Sequence, residues 1–419
     1  MKTLPLVLLA VLSGFASYTS PASAAEFPLR DGDTVVFLGD SITAARRYDR
    51  IIENYTLLRY PQRKVHFFNA GKGGDTMAGG LARLDRDVFD RGATVLFVAF
   101  GFNDIGWGVY ADAAHKQKYL DSLRAIVERC KERNVRVFIC SAAIGALEPD
   151  KAEEGFFQKM CDEGLAIARS LNAGTVDVQR GMREIQRRTL AFNASLKDEK
   201  GRVTLFAADG VHLSELGQLA MAFSILKGIG APADVSAATI DARGPKLLSA
   251  TGCTITSVHD VGGTVEFDRL DEGSPLNFGT FGALNFRFVP VHLELNRYLL
   301  AVTNLAAGRY EVLAGGRGIG TWDARALAGG VNISSSTTNA WEPGGLWDAQ
   351  AAALKMVTDA RHEIAYVPTY ERVFLEAHPE LKQLQAEAMK LNEQLENYQR
   401  HLARPVKIRF VVRPVVKKE

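Results

Sequence analysis

The chain has little cysteine, no surplus of either charge and, beyond its first residues, no long apolar run. Four cysteines among 419 residues, Cys130, Cys140, Cys161 and Cys253, are too few and too scattered to staple a chain of this length. Cys130 and Cys161 fall on helical patterns and Cys140 ends a strand-like run, so buried free thiols are expected, and no disulfide pair can be assigned. With 50 basic against 48 acidic residues and only the short Lys417-Lys418 at the C-terminus, neither nucleic acid nor an anionic membrane is expected as the main partner. No later segment approaches the about 20 apolar residues of a spanning helix, so stable membrane insertion is not expected.

Several motifs are also missing. Without Gly-x-Ser-x-Gly the nucleophile elbow of a standard α/β-hydrolase is excluded. No Gly-x-x-x-x-Gly-Lys-[Ser/Thr] loop occurs, and Gly71, Gly73 and Gly74 lack dinucleotide spacing with a downstream acidic partner. His362-Glu363 is not followed by the second histidine of a zinc-protease helix, and no His or Cys cluster has ligand spacing. No metal and no cofactor are therefore expected in the chemistry.

The N-terminus has the order of an export signal: Lys2, an apolar stretch from Leu4 to Leu12, Gly14, and Ala22-Ser23-Ala24 ahead of Ala25-Glu26. Residues 1–24 are read as a signal peptide, the mature chain beginning at Ala25 in a periplasmic or extracellular compartment.

Four short segments carry the chemistry. Gly39-Asp40-Ser41 stands where the strand-like run Val35-Val36-Phe37-Leu38 ends, which would present Ser41 at the carboxyl edge of a parallel sheet. Asn69-Ala70-Gly71-Lys72-Gly73-Gly74-Asp75-Thr76 follows a second such run, and its glycines let backbone N–H groups face a cavity. Gly101-Phe102-Asn103-Asp104 follows the apolar run Val95 to Phe100, and an asparagine there can aim its amide at a developing oxyanion. Asp209-Gly210-Val211-His212 precedes Ser214, an expected N-cap, and a helical pattern from Glu215 to Lys227. An Asp and a His three apart on a loop can meet, so that Asp209 holds Nδ1–H of His212 while Nε2 faces the serine.

This combination, in this order, resembles the SGNH (GDSL-type) hydrolase family over about Thr34 to Gly228, roughly half the chain. The resemblance implies a three-layer α/β/α sandwich of flavodoxin-like type with the catalytic loops along one edge. By position it implies Ser41 as nucleophile, Asp209 and His212 as acid and base, and an oxyanion hole of the Ser41 and Gly74 N–H groups with the Asn103 amide. Gly74 matches the family's glycine better than Gly71 or Gly73 does. Phe102 stands where several relatives have a small residue. Asp40 and Asp104 are expected to bond backbone N–H groups in their turns.

Strand-like runs, Val35 to Leu38, Val65 to Phe68, Val95 to Ala99, Val135 to Cys140 and Thr175 to Val178, alternate with helical patterns from Thr34 to Gly230, as expected for a parallel sheet with helices on both faces, and residues 25–232 are read as the hydrolase domain. Residues 245–340 carry short alternating runs, among them Thr254 to Val258, Thr264 to Phe267, Leu284 to Phe288, Tyr298 to Val302 and Tyr310 to Leu313, with a tight hairpin at Gly315-Gly316. They read as a small antiparallel β domain, either a carbohydrate-binding or lid module or a structural appendage. Residues 341–419 are expected to be helical over Leu346 to Ala365 and Glu371 to Leu402, ending in a strand over Val406 to Val412 that returns to the β domain. Leu384, Ala388, Leu391, Leu395, Tyr398 and Leu402 form a short seam, for docking on the chain's own domains or for a homodimer.

Family and compartment together imply a serine esterase removing small acyl groups, such as acetyl, from an extracellular carbohydrate or related substrate. Short-chain lipids, lysophospholipids or thioesters are the alternative within the enzyme class, and a glycan-binding module is the alternative outside it. Trp107 and Tyr110, just after Asn103-Asp104, are either a sugar-stacking platform or core aromatics.

Overall fold

The computed structural model describes residues 27–278, 282–339, 341–366, 377–378, 380 and 382–415. The expected signal peptide and the start of the helix expected from Glu371 lie outside the described residues. The five apolar runs of the first half become β1 (Thr34–Gly39), β2 (His66–Gly71), β3 (Val95–Ala99), β4 (Arg136–Cys140) and β5 (Gly174–Val176), one sheet in the order β2-β1-β3-β4-β5. All four pairings are parallel. Side chains alternate across a strand, and in β1 both sets are buried: Val35 and Phe37 enter the core on one face, Val36 and Leu38 that on the other. That double burial requires helices on both faces and explains why the strands are continuous apolar runs. On one face Phe67, Phe37, Phe97 and Phe138 form a stacked row across β2, β1, β3 and β4.

The expected three-layer α/β/α fold of GDSL type is borne out, with the additional sheets C-terminal to it. These begin at β6 (Asp234–Asp241), which with β7 (Lys246–Thr251), β10 (Arg297–Thr303) and β13 (Val331–Asn332) makes a four-stranded sheet ordered β13-β10-β6-β7. Its β6–β10 pair is parallel, a departure from a purely antiparallel arrangement. The second sheet, β12-β11-β14-β9-β8, is antiparallel throughout and comprises β8 (Cys253–Val261), β9 (Thr264–Asp271), β11 (Arg309–Ala314), β12 (Arg317–Asp323) and β14 (Ile408–Pro414). The two sheets share one core, Leu300 and Val302 from the first meeting Val265, Phe267, Val312 and Phe410 from the second. The hairpin joining β11 to β12 turns on Gly315 and Gly316 at φ 56° and 79°, the doubly left-handed pair that a two-residue turn needs, with a register shift at Val312/Leu313.

Leu284 to Phe288 is not a strand. Gly282–Arg287 forms a 3-10 helix, the Asn285 carbonyl accepting from the N–H of both Phe288 and Val289 at 3.0 Å, with Phe286 buried. A short apolar run cannot reveal whether a neighbouring strand exists to pair with it.

Helix Leu346–Tyr366 begins in the β sandwich, where Trp347 packs against Tyr298 and Phe410 and donates to the Ser334 carbonyl at 2.9 Å. It then runs along helix Tyr48–Arg59 of the first domain, and helix Lys382–Ala403 packs beside both. Helix Lys382–Ala403 is turned so that Glu396 and Gln399 are buried while Leu384, Leu391 and Tyr398 of the expected seam face outward. Among the described residues no helix is long and apolar enough to cross a membrane, and all four cysteines are free thiols.

Candidate active site

β1 ends at Gly39 against two neighbours at once. A Cβ there would lie 2.1 Å from Thr43 Oγ1 and 2.8 Å from the Ala99 carbonyl, so only glycine lets the chain turn at this point. Asp40 then caps a single helical turn, Ser41–Ala44, its Oδ1 accepting from Ile42 N–H at 2.9 Å. Ser41 is the first residue of that turn, and its N–H has no acceptor among the described residues.

The second half of the site comes from a loop held from both ends. Phe206 and Leu213 form an isolated antiparallel bridge, and Ser214 caps helix Glu215–Gly228 by accepting from Gly217 N–H at 3.2 Å. Between them Asp209 Oδ1 accepts from the N–H of Val211 and of His212, both at 2.9 Å, which leaves Oδ2 to face the His212 ring. The ring's Nδ1 is 2.6 Å from Asp209 Oδ2 and its Nε2 is 2.8 Å from Ser41 Oγ. An ionised Asp209 keeps the imidazole proton on Nδ1, so that Nε2 accepts from the serine hydroxyl. The hydrogen bond from His212, reinforced by the two backbone N–H groups, holds the Asp209 carboxyl down at about 2. Ser41, His212 and Asp209 therefore form one line along which a hydroxyl proton can pass to the imidazole.

The structure places the remaining two motif residues as follows. Gly74 sits at φ 71° in the turn after β2, and its N–H has no acceptor among the described residues. Asn103 Nδ2 donates to the Asp75 carbonyl at 2.9 Å, one residue from Gly74, and Asn103 Oδ1 accepts from Trp107 Nε1–H at 3.0 Å. The Trp107 ring in turn meets the His212 ring edge-on, centroids 5.8 Å apart, which closes a circuit from Ser41 through His212 and Trp107 to Asn103. Trp107 and Tyr110 are not core aromatics, being 50% and 54% exposed. Beneath the Ser41 turn a small cavity is lined by Ile42, Thr43, Phe102, Ala142, Ala143 and Met221. Phe102 packs on Phe157 at its far side.

Two side chains outside the motifs hold these loops together. Buried Arg83 donates to the carbonyls of Gly39 (3.1 Å) and Ala70 (2.6 Å) and to Asp75 (2.7 Å), tying the serine turn to the Gly74 loop. Asn69 Nδ2 donates to the Thr43 carbonyl and to Asp49 at 2.7 and 2.6 Å. Asn69 lies inside the glycine-rich motif, and Arg83, in the turn between helices Met77–Ala82 and Leu84–Asp87, carries no local signal, since an isolated arginine in such a segment reads as solvated surface. Among the described residues no group of three or more His, Cys, Asp or Glu is placed to hold a metal ion.

A parallel α/β sheet that presents a serine, a histidine and an aspartate in hydrogen-bonded sequence at its carboxyl edge defines a serine hydrolase. Residues 37–220 match the GDSL-like Lipase/Acylhydrolase family. The whole chain is similar to a solved structure described as a gut microbial diltiazem-metabolizing enzyme, at 25% identity and a TM-score of 0.79, over 93% of this chain and 99% of that one. An acetyl xylan esterase from Geobacillus stearothermophilus aligns at 20% identity and a TM-score of 0.40, over 48% of this chain and 96% of that one. A hydrolase from the metagenome of Lake Arreo, Spain, aligns at 20% identity and a TM-score of 0.40, over 48% and 97%. No significant match is found among curated proteins.

Proposed function

We propose that the protein is an exported serine esterase that removes small acyl groups, acetyl foremost, from a carbohydrate or related extracellular substrate. The observation that carries the esterase chemistry is the 2.8 Å contact of Ser41 Oγ with His212 Nε2, backed by Asp209. In this mechanism neutral His212 takes the serine proton as Oγ attacks the acyl carbon, and Asp209 stabilises the imidazolium. The Ser41 and Gly74 N–H groups and the Asn103 amide receive the oxyanion, where losing one donor typically costs about 10²- to 10³-fold in rate. His212 returns its proton to the leaving alcohol, and water then releases the acid from the acyl-serine.

The small acyl group is supported by the small size of the cavity that Phe102 lines together with Ile42 and Thr43 of the Ser41 turn. Exposed Trp107 supports a sugar ring on the alcohol side, since sugars stack on open aromatic faces, whereas Tyr110 already stacks on His115. The compartment rests on residues 1–24. A second reading, a small-molecule ester outside the carbohydrates, is favoured by the diltiazem-metabolizing neighbour, whose likeness extends over nearly the whole chain.

The test is hydrolysis of p-nitrophenyl esters from acetyl to long acyl by the mature protein, with Ser41→Ala in parallel. A rate abolished by Ser41→Ala and falling steeply beyond propionyl is expected; a preference for long chains would move the substrate to lipids. Equal rates with and without the serine hydroxyl would remove the esterase reading altogether.

A further inference from the structure

We infer that Trp107 is a positioning residue for the esterase reaction: its indole N–H orients the Asn103 side-chain amide so that the NH2 group is presented to the oxyanion. The inference rests on the esterase reading of the site. A carboxamide is nearly symmetric in shape, so packing hardly distinguishes its two flips, yet only one of them stabilises an oxyanion. The other would point a carbonyl oxygen at developing negative charge. What decides between them is the polarity of the partners. The Trp107 indole can only donate, and it meets Oδ1 at 3.0 Å. The Asp75 carbonyl can only accept, and it meets Nδ2 at 2.9 Å. The two partners agree on one orientation and occupy only one of the two N–H bonds, so the second remains available for the substrate.

The backbone indicates that this contact is not incidental. Gly106 and Trp107 are consecutive left-handed residues at φ 51° and 58°. For a bulky side chain such a conformation is costly and persists only where the surroundings impose it. Trp107 N–H bonds the Phe102 carbonyl, Tyr110 N–H that of Ile105 and Val109 N–H that of Gly106, at 2.9, 2.9 and 3.1 Å, and these bonds hold the loop in this shape. Burial does not repay the strain, because half of Trp107 is exposed. What the strained placement does achieve is contact with both halves of the site, the Asn103 amide through the N–H and the His212 ring through the indole edge.

The experiment is a double-mutant cycle read as kcat and KM on p-nitrophenyl acetate. Trp107→Phe keeps the ring and deletes the N–H. It is expected to lower kcat about 10-fold, the worth of one hydrogen bond, with KM within about 2-fold and the melting temperature unchanged. Asn103→Ala and Asn103→Ala/Trp107→Phe are expected to be equally slow, since the indole N–H has nothing left to orient. A Trp107→Phe enzyme with the wild-type kcat would overturn the inference. So would a Trp107→Phe effect that persists at full size in the Asn103→Ala background, because the tryptophan would then act through His212 or the substrate. Should Trp107→Phe melt early, Trp107→Tyr, which also lacks the indole N–H, carries the same test. Turnover that survives Ser41→Ala removes the esterase reading itself, an outcome separate from both.

Discussion

Three aspartates lie around Ser41 and its neighbouring loops, and burial separates their behaviour. Asp209, at the surface and bonded by His212 and two backbone N–H groups, stays ionised to about 2. Asp40 is pushed up to about 6 by burial, which the Ile42 N–H and the nearby His212 only partly oppose. Asp104 is pushed up to about 7, again by burial, against a hydrogen bond from Met77 N–H, and its Oδ2 has no partner. A carboxyl raised in the fold stabilises the protein fully below its unfolded value, and that contribution is lost as pH rises through the folded value. Asp104 therefore weakens the fold as pH climbs from about 4 through about 7. Asp104→Asn is expected to melt above wild type at pH 8 and no higher than wild type at pH 4, followed by circular dichroism. A gain of equal size at both values would mean that ionisation is not the cause. Arg83 belongs to the same scale: three of its contacts join segments that the chain separates, so nothing near it in sequence marks it.

At the scale of elements, the C-terminal helices attach to helix Tyr48–Arg59 through buried polar groups set beside apolar contacts of Ala351, Leu354, Leu402 and Ala403. Glu53 accepts from Arg361 at 2.6 Å, faces His362 at 2.8 Å and accepts from Gln399 at 2.7 Å. Burial raises its carboxyl, but the Arg361 charge and these hydrogen bonds prevail and hold it at about 2. Its contribution is thus present above the ordinary carboxylate range and lost as pH falls toward about 2. Arg361 also faces Glu396 at 3.4 Å, and Gln399 reaches Thr358, which donates to Asn54 at 2.6 Å. Arg361→Met would leave buried Glu53 without its arginine, while Glu396 keeps Arg400 and His66 beside it, an expected loss of about 3–5 kcal/mol. The check is the urea midpoint at unchanged m-value, and a midpoint equal to wild type would show that the helices are held by other contacts. Of the expected seam Leu384, Ala388, Leu391, Leu395, Tyr398 and Leu402, Leu402 packs against the core while Leu384, Leu391 and Tyr398 are exposed, because periodicity identifies an apolar stripe but not which side of a helix its neighbours occupy. Here a buried network of ion pairs and hydrogen bonds around Glu53 occupies the inner face.

At the scale of the molecule, the last strand stitches the chain together. β14 lies between β11 and β9, paired on both sides, and contributes Phe410 and Val412 to the sandwich core. A chain truncated after Arg404 loses a central strand and leaves two edges unpaired. It is expected to be aggregated or protease-sensitive across the β sandwich, in limited proteolysis compared with full length; a truncated chain as resistant as wild type would contradict this. The parallel sheet, its strand positions, the turn after β1 and the meeting of Ser41, His212 and Asp209 were legible without a structure. Each depends on near neighbours in the chain, through apolar runs, turn glycines and caps, and on a set of motifs recurring in fixed order. The 3-10 turn at Gly282–Arg287, the parallel β6–β10 pair, the buried face of helix Lys382–Ala403, the Arg83 tie and the Trp107–Asn103 bond depended on the fold. Each is a choice of partner between groups far apart in sequence or not distinguished by type, and only packing, with the need to satisfy every buried polar atom, settles such choices.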